Sequence, residues 1–344
     1  MIKMNKRIGL GLLFILLIFV SVVFLAFGFS RTSFFPKKSK SIPQPQPIPT
    51  KKPTSWTLLL TGDIIPARDV NYQMVVRNDF TWPLKEISPV LKEADLTFIN
   101  LESPLIQNCQ PTTEGMTFCG DQRFLQALLQ SGVDVVTLAN NHSLNYGWEG
   151  LAETEALLTQ AGIKTTGFTN EVQDQNQSKF AVKDLSNLKV GFLGFNSVTQ
   201  TIDLDQVANQ VRQAKQKSDL LIVAFHWGAE YVFEPAPDPF HGYDPKLIGP
   251  QLIDWGADIV VGNHPHWHQT IEWYKGKPIF YALGNTVFDQ EWSLETKRGI
   301  LVKLHFQDKN LQKDKIEIIP VGIRNYGQAY LLKGEEKQRI LDLY

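Results

Sequence analysis

The chain has 344 residues, 43% of them hydrophobic and 11% aromatic, which is enough for one large core or two modest ones and excludes a disordered polymer. Its formal net charge of −1 hides an uneven division. Residues 1–55 carry nine Lys and Arg with no Asp or Glu, leaving 25 bases against 35 acids, a formal −10, in residues 56–344. That acidic body lacks the cationic excess that phosphate neutralisation requires, so no nucleic-acid partner is expected.

Lys3, Lys6 and Arg7 precede an uncharged run of 22 residues, Ile8 to Phe29. A bilayer-spanning helix needs about 20 residues. The apolar core of a cleaved signal peptide is shorter, about 7 to 15, and ends in a small-x-small site that is lacking here. Residues 1–30 therefore read as an uncleaved signal anchor, a transmembrane helix that makes the protein single-pass in the cell membrane. Arg31, Lys37, Lys38 and Lys40 nearly balance the basic residues on the other side, so the charge asymmetry orients the anchor only weakly. Residues 31–55 form a Pro/Lys-rich linker. Six prolines between Pro36 and Pro53 favour extended polyproline II and leave nothing to bury. At about 3.1 Å per residue this stalk holds a folded domain, residues 56–344, roughly 50 Å from the bilayer on the extracytoplasmic side.

From Trp56 onward one pattern recurs, in which a short apolar run ends in a polar cluster. "WTLLL" leads to Thr61, Gly62 and Asp63, and "ADLTFI" to Asn100 and Glu102. "VDVVTLA" leads to Asn140, Asn141 and His142, "LLIVAF" to His226 and Glu230, and "ADIVV" to His264, His266 and His268. Runs of this length and composition fit strands buried on both faces, with helices over Trp148 to Gln160 and Pro245 to Trp255 covering them. The class is α/β. In such sheets the site lies beyond the carboxyl ends of the strands, where all five clusters fall. The later runs "KPIFYALGN", "RGILVKLHF" and "KIEIIPVGIR" read as further strands with hairpin character.

Between the second and third clusters, Cys109 and Cys119 are the only cysteines. They either pair in an oxidising compartment, closing a polar loop, or stand as two free thiols. Neither arrangement assigns them a catalytic role.

Carboxylates, amides and imidazoles together form a borderline-hard ligand set suited to Mn, Zn or Fe. One or two divalent ions are expected. Two ions about 3.5 to 4 Å apart need a bridging carboxylate and about three further protein ligands each, which this inventory supplies with little to spare. Taken singly, His226 reads more readily as a hydrogen-bonded core histidine than as a ligand, and "GNHPH" is readable as a turn. Five strand ends carrying metal-competent groups make the stronger case.

The segments "LTGDIIPAR", "INLESPL", "TLANNHSLNYGWEGL", "FHWGAEY" and "GNHPHWHQTIEWYKGKPIFYALGNTVFDQ" resemble, in order and spacing, the CapA family of bacterial capsule synthesis proteins, which is associated with poly-γ-glutamate. The resemblance runs from about Leu58 to Arg324. It implies a calcineurin-like metallophosphoesterase fold, a four-layer αββα sandwich. It also implies Asp63 as the first-strand metal ligand, Glu102 as the bridging carboxylate and Asn141 as a ligand beside the acid His142. His226, His264 and His266 fall on the later metal histidines, Arg68 on an arginine that clamps an anion or forms a structural ion pair, and His268 outside the metal ligands.

Two departures stand out. The wider superfamily has a histidine where this chain has Ile65, which reduces the ligands of the first metal. The family has an aspartate where this chain has Asn145, and an amide stabilises imidazolium less well than a carboxylate does. The implied mechanism is metal-assisted hydrolysis, with metal-bound hydroxide attacking, His142 as general acid and Arg68 steadying an anionic polymer or phosphoester substrate. The alternative is a non-catalytic module that binds or guides an exported polymer with capsule-synthesis membrane proteins as partners and retains a residual metal site.

Overall fold

The computed structural model describes residues 55–344 except Val172, Ser186 and Thr199. The expected anchor and linker lie outside the described residues, among which no helix is long and apolar enough to cross a membrane.

Two mixed sheets stack face to face. The main path of the first runs, edge to edge, through Gln328–Leu331, Glu317–Arg324, Arg298–Gln307, Ser55–Ile64, Leu96–Leu101, Val135–Thr137 and Lys164–Thr166. The last four strands are mutually parallel, while Arg298–Gln307 and its two outer neighbours form an antiparallel meander. The second sheet runs through Ile271–Tyr274, Lys277–Phe280, Ile259–Asn263, Leu220–His226, Leu188–Asn196 and Ala181–Leu185. Its four central strands are parallel and both edges antiparallel.

The continuous apolar runs are buried on both faces, as a parallel sheet in a layered fold requires. Between the sheets, Leu58, Leu60 and Phe98 of the first meet Val190, Phe192, Ile222 and Val261 of the second. Phe98 and Phe192 stack with centroids 5.2 Å apart across that gap. Alternate residues point outward: Leu59, Ile99 and Val136 pack against the helices Asp69–Arg77 and Gly147–Gln160 through Val70, Met74, Leu151 and Leu158. On the opposite face, Leu221, Val223 and Val260 pack against Leu204–Gln216 and Pro245–Trp255. The layers are helix, sheet, sheet, helix, and each fully buried leucine contributes about 2 kcal/mol.

The covering helices start where the local chemistry places them. The Asp203 carboxylate accepts from the N–H groups of Asp205 and Gln206 at 3.0 and 3.1 Å, and Val207, Val211 and Ala214 make one buried stripe. The Asp244 carboxylate caps the next helix ahead of Pro245, and Gly256 ends it at φ 132°. The helix read over Trp148 to Gln160 begins one residue earlier, at Gly147.

Candidate metal centre

All five polar clusters converge at one end of the sheet sandwich, beyond the carboxyl ends of Ser55–Ile64, Leu96–Leu101, Val135–Thr137, Leu220–His226 and Ile259–Asn263. Two glycines permit the approach. A Cβ on Gly62 would sit 1.9 Å from the Gly284 carbonyl oxygen, and one on Gly262 would sit 1.8 Å from that of Tyr281. With neither present, the Asp63 N–H donates to Gly284 O at 2.9 Å and the segment 281–284 passes close to both strand ends.

Asp63 is 1% exposed and is oriented by amides from both sheets. Asn100 Nδ2 and Asn263 Nδ2 donate to its Oδ1 at 2.9 and 2.8 Å, and the His264 N–H donates to Oδ2 at 3.3 Å. Asn100 Nδ2 also reaches Glu102 Oε2 at 3.1 Å. The amide of Asn140 is occupied structurally: Nδ2 donates to Asn100 Oδ1 and Leu101 O, and Oδ1 accepts from the His142 N–H and the Ser143 hydroxyl.

Glu102 is wholly buried, with Oε1 3.5 Å from His226 Nε2. Burial, reinforced by Asp63 and Glu230, raises the Glu102 pKa well above the ordinary carboxylate range. Burial and the neighbouring imidazoles push His226 and His264 well below theirs. His266 goes the other way: burial opposes its charge, but Asp63 and Glu230 outweigh it and raise its pKa. His266 Nδ1 lies 2.9 Å from Asn285 Oδ1 and 3.5 Å from Asp63 Oδ2.

The turn carrying the last histidines is held in an uncommon backbone state. His264 at φ 99° and His266 at φ 60° both occupy positive φ on either side of Pro265, whose carbonyl accepts from the Tyr231 N–H at 2.9 Å. Such residues cost about 1–3 kcal/mol each and persist where surrounding structure enforces them, commonly at functional sites.

Three overlapping sets bring one ligand atom per residue within 4.8 Å of one another: Asp63, Glu102 and His266; Glu102, His226 and His264; Glu230, His264 and His266. Glu102 Oε1, His226 Nδ1 and His264 Nδ1 are buried without a hydrogen-bond partner. Unpaired lone-pair donors of this kind, crowded with partly suppressed charge, fit one or two divalent cations. Five of the six expected ligands are in these sets. The sixth, Asn141, places Oδ1 2.9 Å from His226 Nε2.

Glu230 was the residue that sequence reading noted but did not assign to the metal. Its Oε1 lies 3.9 Å from Nε2 of both His264 and His266. Its position in "FHWGAEY", four residues after His226, was the available signal, but a half-exposed glutamate in a loop has no periodicity to mark it. Asn263 and Asn285, which orient Asp63 and His266, likewise carry no local pattern. Ile65 is fully buried in a small apolar cluster with Ala67, Phe118 and Phe288, so its side chain offers no ligand.

His142 stands at the rim of the centre, 6% exposed, with Nδ1 2.9 Å from Asn145 Oδ1 and its ring stacked on Phe118 at 3.9 Å. Burial lowers its pKa to about 4, the Asn145 contact opposing this only in part. Arg68 pairs with Asp289 through Nε and a terminal nitrogen and donates to Gly115 O from the other terminal nitrogen at 3.3 Å. The guanidinium carbon lies 4.9 and 5.0 Å from the ring centres of Phe118 and Phe288. Of its two readings, clamp and structural ion pair, the second describes this arrangement. His268 is buried outside the three ligand sets, with Nδ1 2.8 Å from the Tyr344 hydroxyl.

Beside the centre, Asn141, Glu230, Tyr231, Asp238, Phe240 and His264 help line a cavity of about 460 Å³. Phe240, 85% exposed, stands at its edge.

Residues 57–290 match the model of the family described as bacterial capsule synthesis protein PGA_cap. The capsule biosynthesis protein CapA of Bacillus anthracis is 27% identical over 315 residues, covering 86% of this chain and 74% of that protein. The PGA biosynthesis protein CapA of Bacillus subtilis (strain 168) is 26% identical over 270 residues, covering 74% and 68% respectively. Among solved structures, a novel phosphatase of Mycoplasma pneumoniae gives a TM-score of 0.51 at 14% identity, covering 85% of this chain and 100% of that one. A hypothetical protein from Thermus thermophilus gives 0.50 at 15%, covering 80% and 100%. These two likenesses concern the fold alone, and they agree with a layered α/β sandwich. The family match extends over more than half of the residues, and the chain belongs to the bacterial capsule synthesis protein family PGA_cap.

Proposed function

We propose that this chain acts in capsule or poly-γ-glutamate biosynthesis as a metal-dependent hydrolase held at the extracytoplasmic face of the cell membrane by residues 1–30. The observation that carries the reading is the convergence of Asp63, Glu102, His226, Glu230, His264 and His266 with three unpartnered buried donor atoms among them. The names of the two relatives support the process. The disulfide joining Cys109 and Cys119 supports an oxidising compartment.

Those six residues, with Asn141 beside them, would hold one or two ions of Mn, Zn or Fe. When bound, the metal supplies Lewis-acid polarisation of a phosphoryl or carbonyl oxygen and a lowered pKa for water. Asn100 and Asn263 orient the Asp63 carboxylate, and Asn285 orients His266. His142 is neutral at pH 7, so it first takes a proton at Nε2 from the attacking water; the negative charge of a bound substrate raises its basicity, and the same nitrogen returns that proton to the leaving oxygen. Without metal, the carboxylates of Asp63 and Glu230 face a phosphoester or polyanion with no cation between them, so anionic substrate and metal bind cooperatively.

A second reading, a polymer-binding or transport module that guides export alongside capsule-synthesis membrane proteins, is favoured by Ile65 and Asn145. The two separate on one preparation, the full chain purified without chelator. Elemental mass spectrometry showing one or two transition-metal equivalents, and hydrolysis of phosphodiesters or γ-glutamyl amides that His142→Ala abolishes, is the expected result. A chain that takes up metal but turns over neither substrate class, with function in the cell intact in His142→Ala, overturns the hydrolase reading in favour of the module.

A further inference from the structure

The loop closed by Cys109 and Cys119 reaches the His142 imidazole. Phe118, immediately before Cys119, is 1% exposed, although Met116 two residues earlier is 67% exposed. Its ring lies flat on the His142 imidazole, with centroids 3.9 Å apart and planes 20° from parallel. Its backbone N–H donates to Asn145 Oδ1 at 2.7 Å, the same oxygen that lies 2.9 Å from His142 Nδ1. Arg68, itself paired with Asp289, lies over the Phe118 ring and donates to Gly115 O in the same loop.

These contacts determine where the His142 proton sits. An asparagine amide presents oxygen or nitrogen with nearly the same shape, so the group opposite decides which end faces it. The Phe118 N–H is a donor, and turning Asn145 Nδ2 toward it would set donor against donor. Oδ1 therefore faces both partners. An amide oxygen only accepts, so His142 Nδ1 must carry the hydrogen and Nε2 the lone pair. The chain of cause runs from the disulfide to Phe118, from Phe118 to the Asn145 amide, and from the amide to the tautomer.

We propose that the Cys109–Cys119 loop is a positioning device for His142, with Phe118 as the positioning residue that locks the Asn145 amide and thereby holds the imidazole as the Nδ1–H tautomer with Nε2 available. The inference rests on His142 as the proton-carrying group, but its test is made without metal or turnover, so it fails or stands separately from the hydrolase reading. Opening the loop frees Phe118 to leave, the amide is then free to rotate, and either nitrogen can hold the proton.

The test uses the full chain in lipid bilayers, metal-free and labelled with 15N at histidine Nδ1 alone, at pH 8. Magic-angle-spinning spectra separate protonated from unprotonated Nδ1, and the His142 signal is assigned by its absence in His142→Gln. The wild-type chain is expected to show His142 at the protonated position only. The Cys109→Ser/Cys119→Ser pair is expected to add a second His142 signal at the unprotonated position, the other histidine signals staying in place as the measure of folding. Asn145→Asp in that doubly substituted background is expected to restore the single signal, because a carboxylate accepts at either oxygen and needs no Phe118 N–H to orient it. Should the serine pair fail to fold, phosphine reduction of the folded wild-type chain makes the same comparison. A single protonated Nδ1 signal that persists when the disulfide is opened would overturn the proposal, as would an Asn145→Asp variant whose His142 signals stay as mixed as those of its parent.

Discussion

Replacing Glu102 by Gln should change the stability of this protein in opposite directions with and without metal. The carboxylate is completely buried, its Oε1 has no hydrogen-bond partner, and its pKa is raised well above the ordinary 4.5, first by burial and then by Asp63 and Glu230. A folded-state pKa above the unfolded one means that the folded chain binds the extra proton, so this group's contribution is intact below pH 4.5 and is lost as pH rises through the folded value. At pH 8 the metal-free chain bears that cost, on the order of 2–3 kcal/mol for one partly compensated buried charge. The neutral amide removes it, and at about 2 °C per kcal/mol for a domain of this size the variant should melt about 4–6 °C higher in chelator. With metal the order reverses. A cation at about a thousandfold over its Kd stabilises the parent by about 4 kcal/mol, or about 8 °C, and Glu102 belongs to two of the three candidate ligand sets. The variant should lose most of that gain. Differential scanning calorimetry of both chains in EDTA and in excess Mn2+, at pH 5 and pH 8, reads all the differences. If Glu102→Gln melts lower than the parent by the same amount in EDTA and in Mn2+, the carboxylate is an ordinary structural residue and the reasoning is refuted.

Acid should destabilise the metal-free chain through its buried histidines. Burial lowers His142 and His268 to about 4, so the folded state resists protons that the unfolded chain accepts at about 6.5; their contribution, about 3 kcal/mol each, is present above pH 6.5 and lost as pH falls toward 4. A melting temperature unchanged between pH 7 and pH 4.5 in EDTA would contradict this. Asp289→Asn strands the Arg68 guanidinium between Phe118 and Phe288 and should cost about 3 kcal/mol in urea unfolding. A loss below about 1 kcal/mol would put the pair among weak surface bridges instead. Gly262→Ala forces a Cβ onto the Tyr281 carbonyl and the Trp227 indole, and soluble expression or metal affinity should fall sharply. Wild-type yield and metal uptake in that variant would show that the strand ending at Asn263 can shift.

Much of the architecture was legible because burial on both faces of a parallel strand demands continuous apolar residues, and those runs stand out along the chain. The helix Pro245–Trp255 matches its sequence boundaries because its punctuation is local: an aspartate cap, a proline at the first turn and a glycine after the last. Asp63, Glu102, His142, His226, His264 and His266 were legible for a related reason, since each is a polar residue at the end of an apolar run. What the linear order leaves open is which partner each of them meets. Asn263 and Asp63 are 200 residues apart, and only the stacking of the two sheets brings them to 2.8 Å. Glu230 joins His264 and His266, and Asp289 takes up the charge of Arg68, through loops whose positions depend on the whole packed body. The choice between paired and free cysteines, and the placing of Phe118 on His142, belong to tertiary structure for the same reason. A strand announces itself through its own neighbours, whereas the charge, tautomer and ligand capacity of a buried side chain are set by groups that only folding brings within hydrogen-bonding distance.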